Sequence, residues 1–442
     1  MKTLVIATLA LLGSTALSAA ETDPQALVKQ GEYLARAGDC VACHTAKDGK
    51  PFAGGLPMET PIGTIYSTNI TPDKTGIGEY SFEDFDKAVR HGVAKSGDTL
   101  YPAMPYPSYA RVSDADMQAL YAYFMKGVAP VAQENRDSDI PWPLSMRWPL
   151  AGWRWLFAPS VADLQGQAAP APAGQDPLVG RGAYLVEGLG HCGACHTPRA
   201  LTMQEKALSA GEGSQFLAGS APLEGWIAKS LRGDHKDGLG SWSEAQLVQF
   251  LKTGRSDRSA VFGGMSDVVV HSMQYMSDED LTAIARYLKS LPAVDPNDQP
   301  HQYDKQVAEA LWKGDDSKPG AAVYIDNCAA CHRTDGHGYT RVFPALAGNP
   351  VLQSADATSL IHIVLKGGTL PATHTAPSTF TMPAFAWRLS DQEVADVVNF
   401  IRTSWGNQGS EVKAADVAGL RKGDLQSTSN DDLGQVTKHS GG

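Results

Sequence analysis

Two cysteines three positions apart, followed at once by a histidine, occur three times in this 442-residue chain: Cys40, Cys43 and His44; Cys192, Cys195 and His196; Cys328, Cys331 and His332. Thiols at that spacing on one helical turn can each add to a vinyl group of the same porphyrin. The histidine that follows then lies over the iron and supplies one axial nitrogen, so C-x-x-C-H is the attachment signature of a c-type haem. The three copies use all six cysteines, and they imply three covalently bound haem c groups. Disulfides are the weaker reading, because a histidine follows the second cysteine every time. Structural zinc wants two such pairs per site, whereas these pairs lie 152 and 136 residues apart.

An iron held by four porphyrin nitrogens and one histidine has one further axial position. A thioether there raises the reduction potential relative to a second histidine. The first unit offers Met104, before Pro105, and the third offers Met382, before Pro383; both are expected in rigid extended backbone. The second offers Met265, Met273 and Met276. Counted from the glycine expected to end the preceding helix, Met104 lies 12 past Gly92 and Met382 lies 15 past Gly367. Met265 lies 11 past Gly254 and Met273 lies 19 past it. Counted back from the next helix cap, the outer methionines stand 9 and 8 away and Met265 stands 12 away. The forward count selects Met265, with Met273 as runner-up. The nine other histidines share no repeated position.

The elements that must position these groups repeat as well. Gly31 to Leu34, Gly182 to Leu185 and Gly320 to Tyr324 precede the pentapeptides, and loops ending in Gly54, Gly219 and Gly348 follow them. Each unit closes with a helix opened by Ser113, Ser277 or Ser390. An acid stands three residues on (Asp116, Asp280, Glu393), the pattern of a capping box. Behind the caps, apolar residues recur at helical spacing: Met117, Leu120, Tyr121, Phe124; Leu281, Ile284, Ala285, Leu288; Val394, Val397, Val398, Ile401. Gly76 to Ser81 is answered by Gly238 to Ser243 and by nothing in the third unit, so the first two units are the closer pair.

The composition, 43% hydrophobic and 19% charged, is that of a globular chain. Residues 1–20 read as a cleaved secretory signal: Lys2, an apolar run from Leu4 to Leu12, then Ser18-Ala19-Ala20. Export would place the chain on the periplasmic side of a bacterial cytoplasmic membrane. No later run is long enough to span a bilayer, so any membrane contact is expected to be peripheral or through a partner. A net charge of −11 argues against nucleic acid as a partner. The division expected is a first haem domain over 21–130, then a Trp-rich strap and Ala/Pro linker over 131–177. A second domain covers 178–292, a linker 293–304, a third domain 305–406, and a polar tail 407–442 with at most a short helix around Ala414 to Lys422. The strap holds Trp142, Trp148, Trp153 and Trp155. Packing between the first two units is the leading reading for it, ahead of a partner-docking surface and a membrane or quinone contact.

Together these stretches resemble the triheme cytochrome c subunit of bacterial membrane-bound dehydrogenases acting on alcohols, gluconate, sorbitol, fructose or aldehydes. The resemblance is carried by Ile65 to Asp73, Tyr101 to Pro107, Trp142 to Trp148, His191 to Arg199 and Phe343 to Pro350. It implies a mainly α fold of three class-I-like cytochrome c domains in tandem. It also implies a separate catalytic subunit carrying flavin or pyrroloquinoline quinone, room for a small third subunit, and ubiquinone as acceptor. The axial pairs it implies are His44 with Met104, His196 with Met265 and His332 with Met382. No catalytic residue is expected in this chain. A free periplasmic carrier or terminal-oxidase subunit is the alternative, and a haem peroxidase, which needs an open iron position, is a more distant one.

Overall fold

The computed structural model describes residues 23–165, 176–223 and 225–423; the expected signal and the run Ala168 to Gly174 lie outside them. Helices are the main regular structure of the described residues, joined by long irregular loops and accompanied by two short antiparallel strand pairs. The first unit contains α1 (Pro24–Ala37), α2 (Cys40–Cys43), the antiparallel pair β1 (Pro57–Thr60) and β2 (Gly63–Tyr66), α3 (Phe82–His91), α4 (Tyr106–Tyr109) and α5 (Asp114–Lys126). The strap forms α6 (Trp148–Phe157) and α7 (Val161–Gln165). The second unit has α8 (Pro177–Ala183) running into a π turn, α9 (Gly193–His196), α10 (Glu244–Thr253), α11 (Gly264–His271) and α12 (Asp278–Ser290). The third has α13 (Gln306–Trp312), α14 (Ala321–Asn327), α15 (Ala329–His332), α16 (Pro350–Gln353), α17 (Thr358–Lys366), β3 (Gly368–Thr369), β4 (Thr381–Met382) and α18 (Asp391–Thr403). A last helix covers 414–423.

One contact organises every unit. The opening helix crosses the closing helix at a glycine, and the crossing is too close for any side chain. A Cβ on Gly31 would stand 1.9 Å from the Ala119 carbonyl oxygen, on Gly182 2.1 Å from that of Ala283, and on Gly320 2.2 Å from that of Asp396. In each case the carbonyl belongs to the sixth residue past the capping serine. The apolar stripes of the closing helices face this crossing, and of the twelve residues named above all but Tyr121 are buried.

The caps themselves differ from expectation in an instructive way. Ser113, Ser277 and Ser390 all accept from the backbone N–H three residues on. Only Ser390 closes the reciprocal arm, its N–H donating to Glu393 at 2.8 Å. In the other two units a tyrosine from the opposite unit occupies that arm. The Ser277 N–H donates to the Tyr33 hydroxyl at 3.2 Å, which donates on to the Asp280 carboxylate at 2.6 Å. The Ser113 N–H likewise donates to Tyr184 at 3.2 Å, and Tyr184 donates to Asp116 at 2.6 Å. Gln30 and Arg181, one residue before the crossing glycines, complete the pattern by donating to Asp116 and Asp280. Units one and two are thus joined by a reciprocal, pseudo-twofold interface with a common core that includes Leu34, Leu120, Leu185, Val186, Leu281 and Leu288. The third unit has Ala322 where the others have tyrosine, so its box closes on itself and its core is separate. It meets the second unit through Arg255, which donates to the Ala376 and Ser378 carbonyls, and through stacked Trp226 and Phe262.

Within the stretch expected as strap and linker, residues 161–165 are helical, with Val161 and Leu164 buried against Ala110. The tail packs on the third unit as far as 423: Val412 and Val417 are buried, and Arg421 pairs with Asp391 at 2.7 Å. Periodicity misses this segment because only single residues of it face the core.

Hydrogen bonds to ionised groups contribute about 1.5–3 kcal/mol each. Tyr33→Phe and Tyr184→Phe should therefore each destabilise the paired units by about 2 kcal/mol, read as a lower urea midpoint at unchanged slope. Burial works to raise the Asp280 carboxyl, but Arg181 and Tyr33 outweigh it and hold it below the usual carboxylate range. Its contribution is present above the unfolded carboxylate pKa and is lost as pH falls through the depressed folded value. Asp280→Asn should flatten that acid limb of the stability profile.

Candidate haem attachment sites

Each pentapeptide sits on a single helical turn, and its histidine ring is fixed from behind in the same way. The His44 Nδ1 lies 2.7 Å from the Thr68 carbonyl oxygen, the His196 Nδ1 2.7 Å from that of Lys229, and the His332 Nδ1 3.0 Å from that of Pro344. A carbonyl only accepts, so each Nδ1 carries the proton and each Nε2 keeps its lone pair. That is the tautomer an iron ligand needs. Burial lowers the pKa of all three rings, and the carbonyl bond only partly offsets it, which keeps them neutral and able to ligate.

Beside each of these carbonyls stands a glycine of positive φ. Gly54, Gly219 and Gly338 have φ of 74°, 91° and 59°. Their N–H groups donate to the carbonyls of His44, His196 and His332 at 2.8, 2.8 and 3.1 Å. A Cβ on Gly54 would lie 2.4 Å from Thr68 backbone, and one on Gly338 would lie 2.7 Å from the Pro344 carbonyl oxygen. In the third unit this glycine is Gly338 and not Gly348, the residue expected from the loop pattern. Gly348 instead donates to Asn407 and packs on the His301 ring. Thr68, Lys229 and Pro344 stand 24, 33 and 12 residues from their histidines, so no common spacing could have found them.

No disulfide joins the six cysteines, which leaves each pair available to one porphyrin. The first two attachment turns lie back to back. Tyr109 donates to the Gly38 carbonyl at 3.3 Å, and its ring meets His191 edge-on at 5.5 Å.

The methionines fall beyond a helix that ends in each unit at a positive-φ glycine: Gly92, Gly254 and Gly367. In the first two units the chain turns back onto the glycine carbonyl, after eight residues in one and seven in the other. The Leu100 N–H donates to the Gly92 carbonyl and the Val261 N–H to that of Gly254, both at 2.8 Å. Met104 and Met265 each follow four residues later, whereas Met273 is buried in the shared core. The three extra residues between Met265 and Ser277 match a three-residue 3-10 turn, Met273–Tyr275. Met382 lies in β4 opposite Gly368. Extended backbone holds for Met382 only: Met104 sits in a turn closed on Tyr101, and Met265 is in the first turn of α11, where Gly263 starts a helix.

Of the strap, only Trp153 packs between the units as expected, touching Tyr106 and donating its Nε1–H to the Thr202 carbonyl at 2.8 Å. Trp142, Trp148 and Trp155 face outward. The reason is helical phase: of the tryptophans on α6, only Trp153 falls on the side toward Tyr106.

Helical units that carry C-x-x-C-H with a carbonyl-fixed histidine define a c-type cytochrome. The cytochrome c family model matches residues 28–127 and 317–405. The chain is 67% identical over 421 residues to the gluconate 2-dehydrogenase cytochrome c subunit of Pantoea cypripedii, covering 94% of each. It is 55% identical to the cytochrome c subunit of the quinone alcohol dehydrogenase of Gluconobacter oxydans, covering 91% of this chain and 84% of that one. It is 37% identical to the fructose dehydrogenase cytochrome subunit of Gluconobacter japonicus, covering 95% and 89%. The chain belongs to this family of dehydrogenase cytochrome c subunits, and covalently bound haem c is its cofactor.

Beside the second attachment turn, Glu205 lines a cavity with Ala194, Arg199 and Trp153, and its Oε2 has no hydrogen-bond partner. Burial pushes its carboxyl up to about 7, against the pull of Arg199. The folded state therefore binds the proton more tightly than the unfolded chain, and stability falls as pH rises from about 4 to about 7. Glu205→Gln should remove that fall, visible as a melting temperature less dependent on pH across that window.

Proposed function

We propose that this chain is a triheme electron conduit. It accepts electrons from a catalytic dehydrogenase subunit, bearing flavin or pyrroloquinoline quinone, and delivers them to ubiquinone on the periplasmic side of the cytoplasmic membrane. The observation that carries the count of three is the recurrence, in every unit, of the glycine, the carbonyl and the histidine Nδ1 bond; the middle unit has all three parts although the family match spans only the outer two. In this reading Cys40, Cys43, Cys192, Cys195, Cys328 and Cys331 tether the porphyrins. His44 with Met104, His196 with Met265, and His332 with Met382 hold the irons. When bound, haem supplies one-electron redox chemistry; the protein fixes the imidazole tautomers, sets the spacing of the units and excludes water.

The names of the relatives support a partner that oxidises the substrate: each is a cytochrome subunit of a gluconate, alcohol or fructose dehydrogenase. No helix among the described residues is long and apolar enough to cross a membrane, which suits peripheral attachment. The proposed domains span 21–130, 178–292 and 305–406, with 1–20 as the export signal.

Intact-mass measurement of the exported chain should show three haem additions; two would refute the count. Oxidised protein should show the weak near-infrared charge-transfer band of methionine-bound iron. Met265→Leu should lower that band by about a third, as one of three irons loses its sulfur, while Met273→Leu should leave it unchanged. The reverse pattern would make Met273 the ligand.

A further inference from the structure

We propose that the outward face of the tryptophan strap is the surface by which this subunit rests on the lipid headgroup boundary of the membrane. The inference rests on the electron-transfer reading above and says where that conduit meets its membrane. Trp142, Trp148 and Trp155 are 80%, 75% and 81% exposed, and Leu144, Met146 and Leu156 are exposed with them. Pro143, Pro149, Ala151 and Gly152 lie on the same outward side, so the exposed positions from 141 to 156 carry no charge. Water does not favour leaving so much contiguous apolar surface in the open.

The arginines of the strap point the other way. Arg147 lies 3.9 Å over the Tyr101 ring and donates to the Thr99 carbonyl, and Arg154 donates to the His91 carbonyl at 3.1 Å. A docking surface for another protein uses arginine as an outward anchor within a polar rim; here that resource is spent internally. A bilayer boundary asks for less: non-directional burial of indole and aliphatic groups, with indole N–H at headgroup level. The exposed positions of the run carry no acid, so the face itself presents no charge that anionic headgroups would repel, although the chain as a whole has a net charge of −11. The ten residues of α6 extend about 15 Å, which suits lying in the interface plane and not spanning it.

The inward side of the same helix gives the contact its use. Trp153 and Phe157 line a cavity with Pro102, Ala103 and Pro105, on the loop that carries Met104. A lipid-seated α6 therefore holds the first unit's axial loop directly behind the bilayer surface, where a membrane quinone can be reached.

The test is flotation of the complete haem-loaded chain with vesicles of equal parts phosphatidylethanolamine and phosphatidylglycerol. The variant combines Trp148→Ser, Trp155→Ser and Leu156→Ser. The control combines Trp312→Ser and Trp387→Ser, which are as exposed but lie elsewhere. Wild type and control should float together, and the triple variant should partition at least about tenfold less. Equal flotation of the triple variant overturns the inference, as does a wild type that does not float. Haem mass and visible spectra of the same samples separate failure of this surface from failure of the electron-transfer reading.

Discussion

The helix crossing at Gly31, Gly182 and Gly320 is the constraint on which the remainder of each unit rests. Carbonyl oxygens 1.9 to 2.2 Å from a would-be Cβ leave no room for even a methyl group. Because the opening helix leads directly into the C-x-x-C-H turn, this crossing sets where the thiols and the histidine lie relative to the apolar face of the closing helix. A second glycine, Gly54, Gly219 or Gly338, stands beside the distant carbonyl that meets the histidine Nδ1. The helix crossing excludes a side chain in all three units, and the second approach excludes one at Gly54 and Gly338, while at Gly219 it is the positive φ that favours glycine. The residues that react are attached to this frame and do not create it.

The same closing helices make the interface between units. A capping box normally satisfies its own serine N–H, as Ser390 and Glu393 do. In the first two units a tyrosine hydroxyl enters between serine and aspartate, accepting from one and donating to the other. The local helix cap therefore becomes an intermolecular-style contact within one chain, and the two caps exchange tyrosines as an isologous dimer would. The consequence for function is proximity: the first two attachment turns are held back to back by Tyr109, His191 and the shared core. The third unit, lacking the tyrosine, docks through other groups on the second.

Much of this was legible in the residues. The capping serines, the apolar stripes and the C-x-x-C-H turns stand where local rules place them, because helical period and cap chemistry act within a few residues. The tyrosine exchange was not, although Tyr33 and Tyr184 lie in visibly repeated stretches, since nothing local says that a hydroxyl will serve a cap some 244 or 71 residues away. The strap misled for a related reason: tryptophan content indicates an apolar surface but not the side of the helix on which it falls. Only Trp153 turned inward.

What the sequence determined by itself was the chemistry: thiol pairs, an adjacent imidazole, and methionines beyond a glycine-ended helix, all set by covalent spacing on single turns. The tertiary structure decided which carbonyl fixes each imidazole, which glycine stands beside it, and how Met265 is placed relative to Met104. Those depend on chain segments meeting across 12 to 33 residues, or on the path of a returning loop. A tautomer and the placement of a side chain on a returning loop are properties of that encounter, and short-range pattern carries no record of it.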